Sequence, residues 1–257
     1  RERRLELMEL LRESVERGFA GFSIHYQPQA DTLSGRLCGA EALARWHCGK
    51  YGDVSPGEFI PLMEQSGLIV PFGQWILSHG MAQCLEWRRS RPDFQISVNL
   101  SYIQLSQGDF ISFLRTALEE NSLDPSRLIM ELTETYLAKA EEDTLRLIAQ
   151  MKELGVKIAM DDFGVGYSSL FSLKSIPVDV VKIDRRFVKG ITSEPFNATF
   201  IRSITDLCHD VGRKVCLEGV ETKEEYEAVR ELGMEYIQGY YFGRPMSARQ
   251  FEDRLKE

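Results

Sequence analysis

Residues 157–170 read Lys157-Ile-Ala-Met-Asp161-Asp162-Phe-Gly164-Val-Gly166-Tyr-Ser-Ser-Leu170. The stretch begins with an apolar run typical of a buried strand, ends that run in two adjacent carboxylates and continues into a glycine-containing loop. Two neighbouring aspartates repel each other, so one stays protonated unless a cation lies beside them. Mg²⁺ and other hard divalent ions bind such clustered carboxylate oxygens. A solvated Asp-Asp turn is the alternative, and the rest of the chain distinguishes the two.

Length and composition are those of one large globular domain. The 257 residues are a normal length for a single α/β barrel. The formal net charge of −8 argues against non-specific binding of nucleic acid, so we expect no nucleic-acid polymer as a partner. The five cysteines are scattered and include no CxxC pair, which favours reduced thiols in the cytoplasm over a disulfide framework or a zinc site.

No apolar run reaches the length of a membrane span and no signal peptide is visible, so we expect no membrane contact by this domain. We expect the domain to be cytoplasmic, although upstream segments could anchor the full-length protein. Residues 1–20 are predicted to form an N-terminal helix that links an upstream domain to a barrel over residues 21–257. The predicted helix carries Leu5, Met8, Leu11 and Val15 on one face.

Eight short predicted strands alternate with helices, which predicts an α/β fold, a TIM-like (β/α)8 barrel. Ser55-Pro56-Gly57-Glu58 marks a helix start, with Ser55 as cap, Pro56 in the first turn and Glu58 completing a capping box. The predicted strands are 21–29, 37–44, 95–99, 128–132, the Asp-Asp strand from residue 157, 178–183, 214–217 and 236–238. The predicted helices are 1–17, 55–67, 72–89, 109–120, 141–154, 197–211 and 223–232.

Polar side chains stand at the C-terminal end of nearly every predicted strand. In a barrel of this type those ends meet at one face, where the active site lies. One acid at a strand end carries little information, but a ring drawn from eight strands predicts a functional site. The ring comprises Gln27, Glu41, Asn99, Glu131, Asp161, Asp162, Lys182, Glu218 and Gln238.

The chemistry of this ring indicates a site for hard cations, because it offers carboxylate and amide oxygens and neither thiols nor imidazoles. Two ions about 3.5–4 Å apart could share Asp161 and hold a water as nucleophile. Lys182 is either a cation that acts on that water or on a phosphoryl group, or a lysine reaching out to solvent at the barrel rim. Glu218 is placed to be a general base, a further metal ligand or a partner of Lys182.

A series of motifs runs through nearly the whole chain. They stand as Tyr26-Gln27-Pro28, Glu41-Ala42-Leu43-Ala44-Arg45-Trp46, Ser97-Val-Asn99-Leu-Ser, Glu131-Leu-Thr-Glu134, Asp161-Asp-Phe-Gly-Val-Gly-Tyr-Ser-Ser-Leu170, Val181-Lys-Ile-Asp184, Glu218-Gly-Val-Glu221-Thr and Gln238-Gly-Tyr-Tyr-Phe-Gly-Arg-Pro245. In this order they resemble the EAL-domain cyclic di-GMP phosphodiesterases. The resemblance implies a TIM-like barrel whose first strand is antiparallel to the rest. It also implies hydrolysis of one phosphodiester of cyclic di-GMP to linear pGpG in bacterial second-messenger signalling.

The resemblance implies a two-metal site for Mg²⁺ or Mn²⁺. Glu41, Asn99, Glu131 and Asp161 would hold one ion, and Asp161 with Asp162 would hold the second. We expect Ca²⁺ to bind this site and to inhibit hydrolysis, because its longer bonds to oxygen widen the cluster.

The resemblance also implies catalytic roles for five residues. Lys182 and Glu218 would handle the nucleophilic water, and Glu221 and Gln238 would support the ligands. Glu134 would brace the loop after Asp162.

Three further residues would contact the dinucleotide. They are Gln27, Leu43 and Arg45, the last as a phosphate partner.

Two other functions compete with an active phosphodiesterase. A cyclic di-GMP receptor that is weakly active or inactive usually lacks metal ligands, whereas the expected ligands and the lysine are all present in this sequence. An unrelated Mg²⁺ barrel enzyme acting on a carbonyl acid also places acids and a lysine at strand ends, but it does not predict this motif order. The resemblance further suggests a homodimer and an upstream sensor or diguanylate-cyclase-like domain.

Overall fold

The computed structural model describes residues 2–107, 109–166 and 170–256, with side chains described for all of these except 170–172. Nine strands and eleven α-helices lie within this described part of the chain. The strands are β1 Phe22–Asp31, β2 Leu37–Cys48, β3 Gly52–Val54, β4 Gln95–Asn99, β5 Leu128–Thr133, β6 Lys157–Phe163, β7 Val180–Ile183, β8 Lys214–Glu218 and β9 Tyr236–Gln238. The helices are α1 Glu2–Glu16, α2 Pro56–Ser66, α3 Ile69–Arg88, α4 Tyr102–Ser106, α5 Phe110–Asn121, α6 Glu134–Leu137, α7 Glu142–Glu153, α8 Leu170–Ser175, α9 Pro195–Asp210, α10 Lys223–Val229 and α11 Ala248–Leu255.

Eight of the strands close into a barrel, as the sequence predicts. The order is β1-β9-β8-β7-β6-β5-β4-β2, and β1 pairs with β2 to close the ring. β1 is antiparallel to both of its neighbours, while the other barrel strands pair in parallel. β3 was not predicted, because its three residues are too few to show a pattern; it pairs with the end of β2 outside the ring.

Strand alternation accounts for the position of the polar ring. Successive side chains of a strand point to opposite faces, so residues two apart share a face. Inside the barrel, Ile129, Ala159, Val180 and Cys216 form a small apolar cluster. The residues two positions later occupy the next layer toward the C-terminal ends of the strands. They are Glu131, Asp161, Lys182 and Glu218.

The packing face of α1 differs from the predicted one. Leu7 and Leu11, four residues apart, are buried in the main core, whereas Leu5 is 60% exposed. The prediction that Leu5 belongs to the apolar face is therefore wrong. The helix is held against the barrel because Leu7 and Leu11 pack into this core and because the Trp46 indole donates a hydrogen bond to the Ser14 hydroxyl at 3.3 Å.

The predicted capping box at the start of α2 is also wrong. Ser55 is the N-cap and Pro56 stands in the first turn, but the Ser55 side chain makes no capping hydrogen bond. Glu58 instead accepts a hydrogen bond from Arg3 of α1 at 2.8 Å. A tertiary ion pair has replaced the local bond that the sequence pattern predicts.

Several helix boundaries depart from the predicted ones. α3 begins at Ile69 and α10 ends at Val229. The helices α4, α6, α8 and α11 are absent from the prediction because each is eight residues or shorter, too short to show a helical period. All five cysteines are free thiols, as expected. No helix in the described part of the chain has the length and apolar composition needed to cross a membrane.

Candidate active and metal site

Asp161 and Asp162 end β6 at an irregularity in the sheet. Adjacent side chains of a regular strand point to opposite faces. Here the pairing of β6 with β7 shifts register between Met160 and Phe163, and Asp162 has a φ of 57°. This bulge turns the second carboxylate toward the first. As a result, one oxygen each from Asp161, Asp162 and Glu218 all lie within 4.8 Å of one another.

Lys182 lies at the centre of four carboxylates. Its Nζ is 2.7 Å from Glu131 Oε2 and 2.8 Å from Glu218 Oε1. It is also 3.3 Å from Asp161 Oδ1 and 3.5 Å from Glu41 Oε2. Lys182 is buried, so it is not a lysine that reaches out to solvent at the rim. One ammonium group faces four acids, and the site therefore favours additional protons or cations.

Amide side chains orient Glu41 on the other side of the ring. Gln238 donates from Nε2 to Glu41 Oε2 at 2.7 Å, and Asn99 donates from Nδ2 to Glu41 Oε1 at 2.7 Å. Because the Asn99 amide group is used as a donor here, its carbonyl oxygen is left for another partner. Gln238 also donates to Gln27 Oε1 at 3.1 Å. The predicted residues of β1, β2, β4 and β9 thus form one hydrogen-bonded network.

Lys182 and Glu41 are both charged. Burial disfavours the charged form of Lys182, but the surrounding acids outweigh it and raise its pKa well above the usual value. Burial also opposes ionisation of Glu41, yet Lys182 and the amide donors of Gln238 and Asn99 lower its pKa. This pair supplies the fixed charges of the site.

The remaining acids hold protons more tightly than usual. Burial, with the charge of Glu41 added, raises the pKa of Glu131 well above its ordinary value. Burial raises the pKa of Glu218 to about 8, although Lys182 limits the rise. Burial and the charge of Asp161 raise the pKa of Asp162. Near neutral pH the ring therefore contains carboxyl groups that would ionise if a cation replaced their protons.

The donor set fits a divalent cation. Glu131 Oε1 and Asp161 Oδ1 are buried and accept no hydrogen bond from the described residues, although Asp161 Oδ1 lies 3.3 Å from the lysine ammonium. Buried carboxylate oxygens without a donor are rare and costly. An oxygen-rich cluster of this kind suits hard ions such as Mg²⁺, Mn²⁺ or Ca²⁺.

We expect the affinity of this cluster for Mn²⁺ to rise with pH and to level off above about pH 8. Glu218, with its pKa raised to about 8, is protonated below that pH, and a metal ion must displace the proton. Calorimetry in buffers of different ionisation enthalpy measures the protons released. The Glu218→Gln variant removes this titrating group and should show a flatter dependence. A wild-type affinity that stays constant from about pH 6 to about pH 8 would contradict the expectation.

Glu134 holds the start of the loop that follows Asp162. Its side chain is 2% exposed, and Oε2 accepts a hydrogen bond from the backbone N–H of Gly164 at 3.1 Å. Gly164 has a φ of 96°, and a Cβ there would lie 2.4 Å from the ring of Phe187. The backbone at Gly164 is therefore fixed from two sides. Residues 167–169 of the predicted braced loop lie outside the described residues.

We expect Glu134→Ala to lower catalytic turnover at this site at least about tenfold, because an unpaired N–H at Gly164 lets the segment after Asp162 shift, and a shift of about 1 Å can cost a hundredfold in rate. Glu134→Gln keeps an acceptor oxygen and is the matched control. Hydrogen exchange over residues 163–166 should accelerate only in the alanine variant. Unchanged exchange in that variant would rule out the bracing role.

We call the four acids around Lys182, namely Glu41, Glu131, Asp161 and Glu218, the carboxylate ring. A cleft of about 770 Å³ opens beside it. Four predicted site residues line it, namely Leu43, Arg45, Asn99 and Asp162. Its opposite wall comes from α2 and α3 and is largely apolar, with Ile60, Ile69, Phe72 and Ile76. The volume falls within the range of small-molecule binding sites.

Sequence reasoning missed three polar residues of this cleft. Ser101 donates from its hydroxyl to Glu64 Oε1 at 2.6 Å, and its backbone N–H donates to Gln104 Oε1 at 3.0 Å. The Ser101 and Gln104 pair is a capping box, which the spacing Ser-x-x-Gln directly after β4 could have indicated. No local pattern connects Glu64 to this site.

Glu221 is the predicted residue that the structure places apart. It is exposed, and its backbone N–H donates to Glu225 Oε2 at 2.7 Å within the start of α10. In the described part of the chain its carboxylate makes no contact with the ring around Lys182. The residues predicted for the ring converge on one face of the barrel, but Gln27 does not stand at the C-terminal end of its strand as predicted. It lies within the antiparallel strand β1 and reaches this face because it pairs with Glu41.

Comparison with known proteins gives the family. The family described as the EAL domain matches residues 8–245. The chain belongs to the EAL domain family. A bifunctional diguanylate cyclase/cyclic di-GMP phosphodiesterase of Pseudomonas aeruginosa, MucR, is 38% identical over 247 residues, covering 96% of this chain and 36% of that protein. The cyclic di-GMP phosphodiesterase PdeR of Escherichia coli is 36% identical over 229 residues, covering 89% of this chain and 34% of that protein.

Solved structures share the architecture of this EAL domain. The phosphodiesterase of PaMucR in complex with c-di-GMP superposes with a TM-score of 0.88 at 38% identity, covering 96% of this chain and 99% of that one. The EAL enzyme Bd1971 in its cAMP- and cyclic-di-GMP-bound form gives a TM-score of 0.89 at 30% identity, covering 98% of this chain and 69% of that one. This EAL domain spans about a third of the length of the curated relatives named above.

Proposed function

We propose that this EAL domain is a metal-dependent phosphodiesterase that hydrolyses one phosphodiester of cyclic di-GMP to linear pGpG in bacterial second-messenger signalling. The observation that carries the proposal is the ring of Glu41, Glu131, Asp161 and Glu218 around the Lys182 ammonium, beside a cleft of about 770 Å³. The names of the relatives support the substrate, since MucR and PdeR are called cyclic di-GMP phosphodiesterases.

The ring offers two groups of metal ligands. We assign Glu41, Asn99, Glu131 and Asp161 to one Mg²⁺ or Mn²⁺ ion, and Asp161 with Asp162 to a second. When bound, such ions supply activation of a water and neutralisation of phosphoryl charge. The buried oxygens of Glu131 and Asp161 that accept no hydrogen bond among the described residues support this assignment. The proximity of Glu218 to both aspartates leaves it available as a ligand or as a base.

Lys182 and Glu218 would act on the nucleophilic water and the phosphoryl group. Lys182 stays charged and sits rigidly among its four partners, so it can stabilise developing negative charge without reorganisation. The raised pKa of Glu218, about 8, lies close to physiological pH, where a carboxylate accepts and returns protons most effectively.

Residues outside the ring would position the substrate. Arg45 lines the cleft and donates from Nη1 to its neighbour Ala44 O at 2.8 Å, which leaves other N–H groups for a phosphate. Leu43 offers an apolar surface in the same cleft, and Gln27 accepts a hydrogen bond from Gln238 of the ring. We assign these three residues to binding of the dinucleotide, and Gln238 to orientation of Glu41. The exposed Glu221 would have to move toward the ring to support a ligand.

The test is chromatography of the products after incubation of the domain with cyclic di-GMP and Mg²⁺. We expect linear pGpG as the product, because one phosphodiester bond is cut. EDTA should abolish its formation, because the carboxylate ring needs a bound divalent cation for catalysis. Calorimetry with the same dinucleotide separates the enzyme from the receptor alternative. Binding without any product in Mg²⁺ or Mn²⁺ would make the domain a receptor, and absence of both would reject the substrate.

We also propose a homodimer that forms near the loop after Asp162. Phe196 is 70% exposed at the start of α9, an unusual position for an aromatic side chain. It stacks on Phe200 with ring centroids 6.2 Å apart, and Phe200 stacks on Phe187 at 4.0 Å. Phe187 in turn covers Gly164. Light scattering over a concentration series tests this, and a Phe196→Ser variant that dimerises as strongly as wild type would contradict it.

We further propose that the full-length protein carries a sensor or diguanylate-cyclase-like domain upstream. This chain covers only about a third of the length of MucR and PdeR, which supports the presence of further domains in the full-length protein. The name of MucR includes a diguanylate cyclase. The five free thiols support a reducing cytoplasmic location for this domain. Purification of the full-length protein and a cyclase assay test the domain content.

A further inference from the structure

A second cavity, of about 680 Å³, is lined by four arginines. It lies between the β1–β2 loop, α10, the segment after β9 and α11. The β1–β2 loop connects the end of β1 to the start of β2, so this part of the cavity lies at the opposite end of the barrel from the carboxylate ring. The cavity and the substrate cleft share no lining residue. Its lining comprises Leu33, Ser34, Gly35, Arg36, Leu37, Arg91, Tyr226, Arg230, Tyr241, Phe242 and Arg254, and we call it the arginine groove.

Arg91 and Arg230 of this groove are held by backbone carbonyls. Arg91 donates from Nη2 to Leu255 O at 3.0 Å, and Arg230 donates from Nη2 to Leu33 O at 3.0 Å. Each bond uses one of the five N–H donors of a guanidinium group, so several donors per side chain remain. Because these contacts restrict the side chains in advance, less conformational entropy is lost when a ligand binds.

Three arginines of the groove have no acidic partner among the described residues. None of its lining residues is an aspartate or a glutamate. Across the described residues, Arg36, Arg91 and Arg230 form no ion pair with a carboxylate. This is unexpected in a chain with 39 acidic and 31 basic residues. The guanidinium groups of these three arginines repel each other, and an anion bound between them would remove that repulsion.

One wall of the groove is aromatic and firmly packed. Tyr241 stacks on Tyr226 with ring centroids 5.3 Å apart and an interplanar angle of 25°. The Tyr226 hydroxyl donates to Thr32 O at 2.8 Å, which ties this pair to the β1–β2 loop. Tyr241 is 39% exposed, so part of its ring is open to a ligand. The groove therefore combines anion donors with a flat apolar surface.

We propose that the arginine groove binds a small molecule that carries two or more phosphoryl groups and an aromatic ring, of the class of nucleoside polyphosphates. Arg36, Arg91 and Arg230 hold the phosphoryl oxygens, for which the planar guanidinium fork is the best-matched side chain. Tyr241 provides the stacking surface for the aromatic ring. The volume suits a ligand of this size. This ligand is distinct from the proposed substrate, whose cleft lies at the metal site.

The test is calorimetric titration of the domain with inorganic tripolyphosphate and with adenosine triphosphate. Both titrations are made in EDTA, so that the metal site contributes no binding of phosphate. Arg36→Gln and Arg230→Gln remove one guanidinium each, and Arg202→Gln removes an exposed arginine of α9 as the matched control. We expect each groove variant to weaken tripolyphosphate binding about tenfold and the control to change it less than about twofold.

Arg36 is exposed and its side chain forms no hydrogen bond or ion pair in the described part of the chain, so the Arg36→Gln variant should keep the melting temperature and the hydrolytic activity of wild type. Absence of tripolyphosphate binding at millimolar concentration would overturn the proposal, as would equal weakening by the Arg202 control. The Tyr241→Ala variant should bind adenosine triphosphate more weakly than wild type and should bind tripolyphosphate with unchanged affinity. Equal affinity of wild type for the two probes would overturn the role of the aromatic wall.

Discussion

Replacement of Lys182 by methionine is expected to lower the rate of cyclic di-GMP hydrolysis by about a hundredfold to a thousandfold, the usual cost of removing one preorganised charge-stabilising group. Methionine has a similar length and no charge, so it fills the space inside the barrel. The ammonium group lies within 3.5 Å of Glu131, Glu218, Asp161 and Glu41 and keeps them at fixed positions. Loss of the ammonium group removes a positive charge from the site, and the four carboxylates are no longer held in place by it.

The same variant should be less stable than wild type without metal. Removing one partner of a buried ion pair typically costs about 3–5 kcal/mol, because uncompensated charge remains in the interior. Binding of divalent cations should restore most of the lost stability. Lys223→Met on the exposed face of α10, where the lysine pairs with Glu227 at 3.6 Å, is the control and should change neither property. Near-normal turnover of a stably folded Lys182→Met protein would show that the assigned role is wrong.

Exchange of Mg²⁺ for Ca²⁺ is expected to preserve binding of cyclic di-GMP and to lower hydrolysis about a hundredfold or more. The carboxylate ring should accept Ca²⁺, which binds oxygen at about 2.3–2.6 Å against about 2.0–2.1 Å for Mg²⁺. The longer bonds move the ligands apart, and the larger ion lowers the pKa of a bound water less. Binding depends mainly on charge neutralisation and on the contacts of the cleft, which tolerate the exchange.

The measurement pairs calorimetric affinity in Ca²⁺ with product formation in Mg²⁺, Mn²⁺ and Ca²⁺. Asp161→Asn is a useful companion variant, since it removes the charge of a ligand assigned to both ions. It should weaken binding of the metal in all three cases. Robust turnover of the wild type in Ca²⁺ would exclude the geometry-limited two-metal mechanism.

The residues of the carboxylate ring could be predicted because strand order and alternation determine their positions. Glu131, Lys182 and Glu218 each lie at or near the end of a short apolar strand, and the parallel strands of a barrel place such ends at one face. Their mutual distances follow from the closed sheet and need no further information. The antiparallel direction of β1 was predicted from the family resemblance that the order of the motifs carries, because local sequence patterns do not reveal strand direction.

Other features depend on contacts that no local pattern encodes. The turn of Asp162 toward Asp161 requires a bulge, and a strand pattern does not show where the register shifts. Glu58 leaves its capping role because Arg3 of another helix lies within reach. Leu7 is buried in place of Leu5 because α2, distant in sequence, determines which face of α1 is covered. Glu64 meets Ser101 only through tertiary packing.

The reversed direction of β1 also decides from which side the chain reaches the barrel. In an all-parallel barrel the first strand starts at the end remote from the catalytic groups, whereas here Phe22 pairs with Trp46 beyond Glu41, on the catalytic side. α1 precedes it and contacts α2, whose residues Pro56, Ile60 and Glu64 form a wall of the cleft. A twist or pull applied through α1 would therefore act mechanically on the mouth of the cleft after crossing a single layer of helix packing.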